Sequence, residues 1–173
     1  MGDQGDRAVR GIAMTPTTAP VQPFTESPHS RSQFYRRMCS LPTVVDPQSG
    51  RITMKAGSLV GAVMMPTALA QQVKNSLDLR GVAPLSIIGH PRAGMWTFLV
   101  RADIRPIADP AVVSQLWHAR VIVIRDGDIA LPSPIPDSSM IRTWISPATG
   151  TFRPSGEVVI ECARALLART ARQ

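Results

Sequence analysis

The stretch Leu85 to Arg101, LSIIGHPRAGMWTFLVR, decides the fold. Two apolar runs, Leu85 to Ile88 and Met95 to Arg101, flank Gly89-His90-Pro91-Arg92-Ala93-Gly94. Runs this short, rich in Ile, Val, Phe and Trp, suit strands, and the Gly and Pro between them suit a tight reversal. A link of six residues is too short for a crossover helix, so the two strands must pair antiparallel.

The same grammar extends outward in both directions. Ile52 and Met54 alternate within Arg51 to Lys55, and Gly57 to Met65 is a further apolar strand. Pro66 opens a helix whose stripe is Leu69, Val73, Leu77 and Leu79, and Gly81 stops it. Asp109 and Pro110 cap and start a short helix to His118. Strands then flank Asp126-Gly127, a strong hairpin dipeptide, and Met140 to Ile145 is another strand. Ser155 is placed to cap a last helix that buries Val158, Val159, Cys162, Leu166 and Leu167. Upstream, Phe34, Met38 and Leu41 recur at helical spacing before Pro42. The expected fold class is α+β: a mixed, mostly antiparallel sheet with helices packed on it.

Composition bounds the rest. The chain has 173 residues, 44% of them hydrophobic, enough for one domain with a real core. Residues 1 to 30, with Pro16, Pro20, Pro23 and Pro28 among polar residues, read as a disordered tail, and residues 31 to 173 as a single domain. No apolar run is long enough to span a bilayer, and Met1 to Arg10 lacks a signal-peptide core, so the cytoplasm is the expected compartment, with no membrane partner. Cys39 and Cys162 stand far apart without clustered ligands, as ordinary buried thiols do. Of Trp96, Trp117 and Trp144, at least two are expected in the core.

The net charge is +7, and nearly all the cations are Arg. Arg grips phosphate with a planar fork, so nucleic acid or nucleotides are candidate partners. Arg92, Arg101, Arg120 and Arg125 are the candidate phosphate contacts. A GC-rich genome would produce the same Arg bias whatever the function. Catalytic motifs are sparse. Asp126 and Asp128 form the one close carboxylate pair in a sheet, able in principle to share Mg2+ or Mn2+, though the Asp-Gly turn explains them equally well. His90 beside Arg92 could hold a phosphate. The sequence has no nucleophile elbow, no phosphate-binding glycine loop and no dinucleotide fingerprint.

The runs HPRAGMWTFLVR, IALPSP, IRTWISP and FRPSGEVV, with FYRRMC, DPQSGRITMKAG and VGAVMMP upstream, resemble a set of short actinobacterial proteins. These are commonly labelled as a small DNA-directed RNA polymerase subunit beta or as primase/polymerase-like domains. The resemblance spans roughly residues 33 to 168 and rests on order and spacing. It implies a reduced primase/polymerase-like fold and a role with the transcription or replication machinery. Catalysis in that fold uses a carboxylate pair, a histidine and a third carboxylate, for which Asp126, Asp128 and His90 are the residues on offer. The expectation is therefore a non-catalytic domain that binds nucleic acid or nucleotides and needs no cofactor. The alternatives are a metal-dependent nucleotidyl transferase, and a protein-interaction module working through a strand edge and the tail.

Overall fold

A computed structural model of the chain describes residues 26–135 and 141–170. The hairpin at the centre of the sequence is formed as expected: β4 (Ser86–His90) pairs antiparallel with β5 (Met95–Arg101), from Ser86 opposite Leu99 to His90 opposite Met95. A single 3-10 turn, Pro91–Ala93, joins them. β3 (Val60–Pro66) pairs with the other edge of β5, and β6 (Ile122–Ile124) and β8 (Thr143–Ser146) complete an antiparallel sheet in the order β6-β3-β5-β4-β8. A second sheet has the order β1-β2-β7, from Thr43–Val45, Ile52–Ala56 and Gly127–Leu131. The fold is thus α+β, with antiparallel sheets and helices packed on them.

Both faces of the five-stranded sheet are covered, which is why its central strands read as unbroken apolar runs rather than alternating ones. Phe98 and Val100 point into one core, with Val63, Met65 and Ile87. That core is closed by α2 (Thr67–Leu79), α3 (Pro110–His118) and α4 (Gly156–Thr170), through Val73, Leu77, Leu116 and Val159 among others. Leu99, between Phe98 and Val100, points into the other core with Ala62 and Ile88. There it meets Ile52, Met54, Ile129 and Leu131 from the small sheet, and Tyr35 and Cys39 from α1 (Pro28–Cys39). Each fully buried side chain of this size contributes about 1.5–3 kcal/mol, so both cores matter to stability. Trp96 packs against the helical core and Trp144 against the inter-sheet core, while Trp117 is exposed; both cysteines are free and buried. Among the described residues no helix is long and apolar enough to cross a membrane.

Three expectations are corrected. First, Asp126-Gly127 does not make a hairpin. β6 pairs with β3 in one sheet, and β7 pairs with β2 in the other, from Ile52 opposite Leu131 to Ala56 opposite Gly127. The dipeptide is a corner between sheets, and Gly127 takes a φ of 106° there, which only glycine adopts without strain. A five-residue ladder on β2 that buries Ile129 and Leu131 outweighs a short hairpin on a three-residue strand. Second, α1 begins at Pro28, inside the segment read as tail. Ser27 caps it: its Oγ accepts from the Ser30 amide at 3.1 Å, and its own amide donates to Ser30 Oγ at 3.0 Å. Third, α1 does not bury Phe34 and Met38, which are exposed; it buries Ser32, Tyr35 and Cys39. That face is fixed by polar contacts. Ser32 Oγ lies 2.8 Å from Thr43 Oγ1, and the Tyr35 hydroxyl donates to Pro132 O at 3.1 Å and accepts from Trp144 Nε1 at 2.8 Å.

The start of α4 is also held from a distance. The Gly156 amide donates to Asp103 Oδ1 at 2.8 Å, and Asp103 also pairs with Arg101 at 3.1 Å. Burial pushes the Asp103 carboxyl up, but the Gly156 amide, the Ser155 hydroxyl and Arg101 outweigh it and hold the carboxyl below its ordinary range.

Candidate anion-binding site

The four arginines singled out in the sequence do not form one patch. In the register of β5, Arg101 stands opposite Val60 and Met95 opposite Pro66, which puts these ends about 20 Å apart. Arg125 follows Ile124, opposite Ala62, and so lies toward the Arg101 end. Arg120 precedes β6, and Arg92 lies in the β4–β5 turn, so both belong to the opposite end. Arg101 is further engaged with Asp103.

The metal candidates are separated as well. Asp126 Oδ1 accepts the amide of Gly127 at 2.7 Å, serving the corner itself. Asp128 lies on β7 opposite Lys55, on the face away from Ile129 and Leu131, outside the small sheet. His90 sits on the inner face of the other sheet, where its Nε2 lies 2.8 Å from Oγ1 of buried Thr97. Stacked sheets stand about 10 Å apart, so His90 and Asp128 cannot share an ion. Among the described residues no group of three or more His, Cys, Asp or Glu is placed to hold a metal.

What the fold does bring together is a cationic mouth between the two sheets. Arg142 enters β8, whose Thr143 pairs with Gly89, and this sets its guanidinium beside His90. Arg51, at the start of β2, approaches from the other sheet. The two arginines line one small cleft with Ile52, Ser133, Ile135 and Ile141. Ser133 fixes the wall: its Oγ accepts the Ile52 amide at 2.8 Å. Arg142 is half-buried; burial, and then the charge of Arg51, push its guanidinium below the ordinary range. Burial, and then Arg142, push His90 down in the same way. Neither arginine has an ion pair among the described residues. Like charges held together in a partly desolvated cleft favour an anion that would relieve both effects.

Sequence reasoning found His90 but missed Arg51 and Arg142. They are 91 positions apart, and each looks like a solvated residue at a strand end. Only the stacking of one sheet on the other brings them together. No protein-family model matches the chain, and neither a curated protein nor a solved structure does.

The electrostatics give a pH dependence. His90 is held below the ordinary histidine range by burial and then by the charge of Arg142, so it is neutral in the free protein near neutral pH; its Nε2 lies 2.8 Å from Thr97 Oγ1. An anion in the cleft would raise that pKa, so binding should take up a proton. Affinity for a phosphorylated ligand is expected to rise as pH falls from neutral into the acidic range. His90→Gln should flatten this rise in a titration series, and an unchanged profile would separate His90 from the site. In the unliganded protein the sign is reversed: a depressed His90 stabilises the fold above about pH 6.5 and loses that contribution as pH falls through the folded value.

Proposed function

We propose that this chain is a non-catalytic domain of the primase/polymerase-like kind, binding nucleic acid or nucleotides through their phosphates in the service of transcription or replication. The observation that carries the reading is the small cleft lined by half-buried Arg142 and by Arg51, with no described carboxylate to neutralise them. Arg92, two residues after His90 at the same end of the sheet, extends the cationic surface outward. The net charge of +7 supplies long-range attraction for a polyanion. The placement of Asp126 and Asp128 supports binding over metal-assisted nucleotidyl transfer, because one serves a backbone corner and the other faces away from His90. The cytoplasm is the compartment that suits this role.

Fluorescence anisotropy with labelled single- and double-stranded DNA and RNA tests the reading on the full chain. Micromolar binding is expected at low salt, falling at least tenfold towards physiological salt as counterions are released. Arg142→Met should weaken binding roughly tenfold, the worth of one well-placed charged contact, with a shallower salt slope. Absence of binding at low salt overturns the proposal.

A further inference from the structure

We propose that the cleft lined by Arg51 and Arg142 takes a terminal phosphate, the phosphomonoester of a strand end or of a mononucleotide, in preference to the internal phosphodiester of a continuous strand. The inference rests on the phosphate-binding reading of that same cleft and names its ligand. Size is the first reason. The enclosed space is about 20 Å³, where a single water needs about 10–15 Å³. One phosphoryl oxygen fits there, and neither a sugar nor a base does. Ile52, Leu131, Ile135 and Ile141 line the cleft with apolar side chains, and Ser133 Oγ already accepts the Ile52 amide at 2.8 Å. A terminal phosphate ends in three strong acceptor oxygens beyond the sugar, so one enters while the others stay at the rim. An internal phosphate carries a sugar on each of two bridging oxygens, and these would press on the apolar walls.

Charge is the second reason. Arg142 is half-buried, Arg51 is exposed, and neither is in an ion pair among the described residues. A phosphomonoester carries about −1.5 to −2 at pH 7 and so matches two fixed cations. A phosphodiester supplies a single negative charge and leaves one of the two uncompensated. The placement of the other arginines points the same way. Arg120 and Arg125 flank β6, at the far edge of the five-stranded sheet from β8, which Arg142 precedes. Four strand spacings, about 19 Å, separate those edges. Arg101 is engaged with Asp103 at 3.1 Å. These three arginines therefore do not continue the cleft as a track for a polymer backbone.

Fluorescence anisotropy of the full chain at one near-neutral pH tests the proposal. One internally labelled single strand is compared with a phosphate at its 5′ end, at its 3′ end or at neither. At least one phosphorylated form is expected to bind about tenfold tighter than the unphosphorylated form. In Arg142→Met that preference should fall below about twofold. Arg51→Met, at an exposed position, should give the same loss without disturbing a packed face, and circular dichroism checks that both variants are folded. A nucleoside monophosphate distinguishes the two sources. Displacing the strand at comparable concentration assigns the cleft to free nucleotides, and needing a large excess assigns it to strand ends. Equal binding of all three strands overturns this inference and leaves phosphate binding standing. A preference that survives both substitutions also overturns it, because the overall positive charge then explains it. Binding by no strand and by no mononucleotide removes the phosphate reading as a whole.

Discussion

Arg153→Leu is expected to lower the free energy of unfolding by about 3 kcal/mol, measured by urea denaturation. Arg153 is only 7% exposed, and no carboxylate pairs with it among the described residues. Its guanidinium is instead surrounded by carbonyls. Nη1 donates to Gly150 O at 3.1 Å and Phe152 O at 3.0 Å, while Nη2 donates to Cys39 O. Cys39 is the last residue of α1, so the cation sits at the negative end of that helix. Burial still pushes the guanidinium below its ordinary range, and Nε finds no acceptor among the described residues. The arrangement is costly, and it persists because one side chain joins the end of α1 to the loop before α4. Leucine would fill part of the volume but leave the buried Cys39 carbonyl and the part-buried Gly150 and Phe152 carbonyls without those donors, the more expensive half of a broken hydrogen bond. Arg153→Lys keeps the charge without the fork and should fall between the two. A leucine variant as stable as the parent would mean that water or a shifted loop satisfies these carbonyls, and that the tie is dispensable.

Gly156→Val should cost a further amount of the same order, about 3 kcal/mol, with Gly156→Ala nearer 2. At this first residue of α4 the helix presses against β5 and the loop after it. A Cβ would stand 2.7 Å from Ile104 Cδ1 and 3.1 Å from Val100 Cγ2, and closer still to Ile104 Cγ1. Ile104 and Val100 are both in the helical core, so neither can swing into solvent. The Gly156 amide is also pinned to Asp103, which prevents the helix from sliding away to make room. Helix propensity alone favours alanine over glycine by about 1 kcal/mol, so the sign of the measured change decides between packing and propensity. Thermal or urea unfolding reads it directly. A stabilised Gly156→Ala would show that the layers can separate at little cost.

Much of the secondary structure was legible because the local signals agreed with the tertiary outcome. Ile52 and Met54 alternate and are buried. Val73 and Leu77 lie on the inner stripe of α2, and Asp109 caps α3 through the Ala111 amide at 2.9 Å. Where burial chose against the local signal, the reading failed. The Asp-Gly dipeptide specifies a sharp reversal but cannot specify which edge the next strand will join. Phe34 and Met38 satisfy a hydrophobic period, yet the polar anchors of Tyr35 and Ser32 turn the helix the other way.

The candidate site was less legible than the fold. His90 stood out because a histidine in a Pro- and Gly-rich turn is conspicuous. Arg51 and Arg142 did not, because an arginine at a strand end is ordinary until something opposes it. Likewise, Asp103 gave no sign that it holds the start of a helix 53 positions downstream.

By itself, the amino-acid sequence determined the kinds of element, most of their order, the antiparallel central hairpin and the positive charge. Those properties depend on side-chain period, turn chemistry and composition, all of which act over a few residues. The tertiary structure alone decided that there are two sheets, that Gly127 is the corner between them, and that Arg142 comes near both Arg51 and His90. Those outcomes depend on which apolar faces can be buried against each other, a property of the whole chain that no local stretch contains.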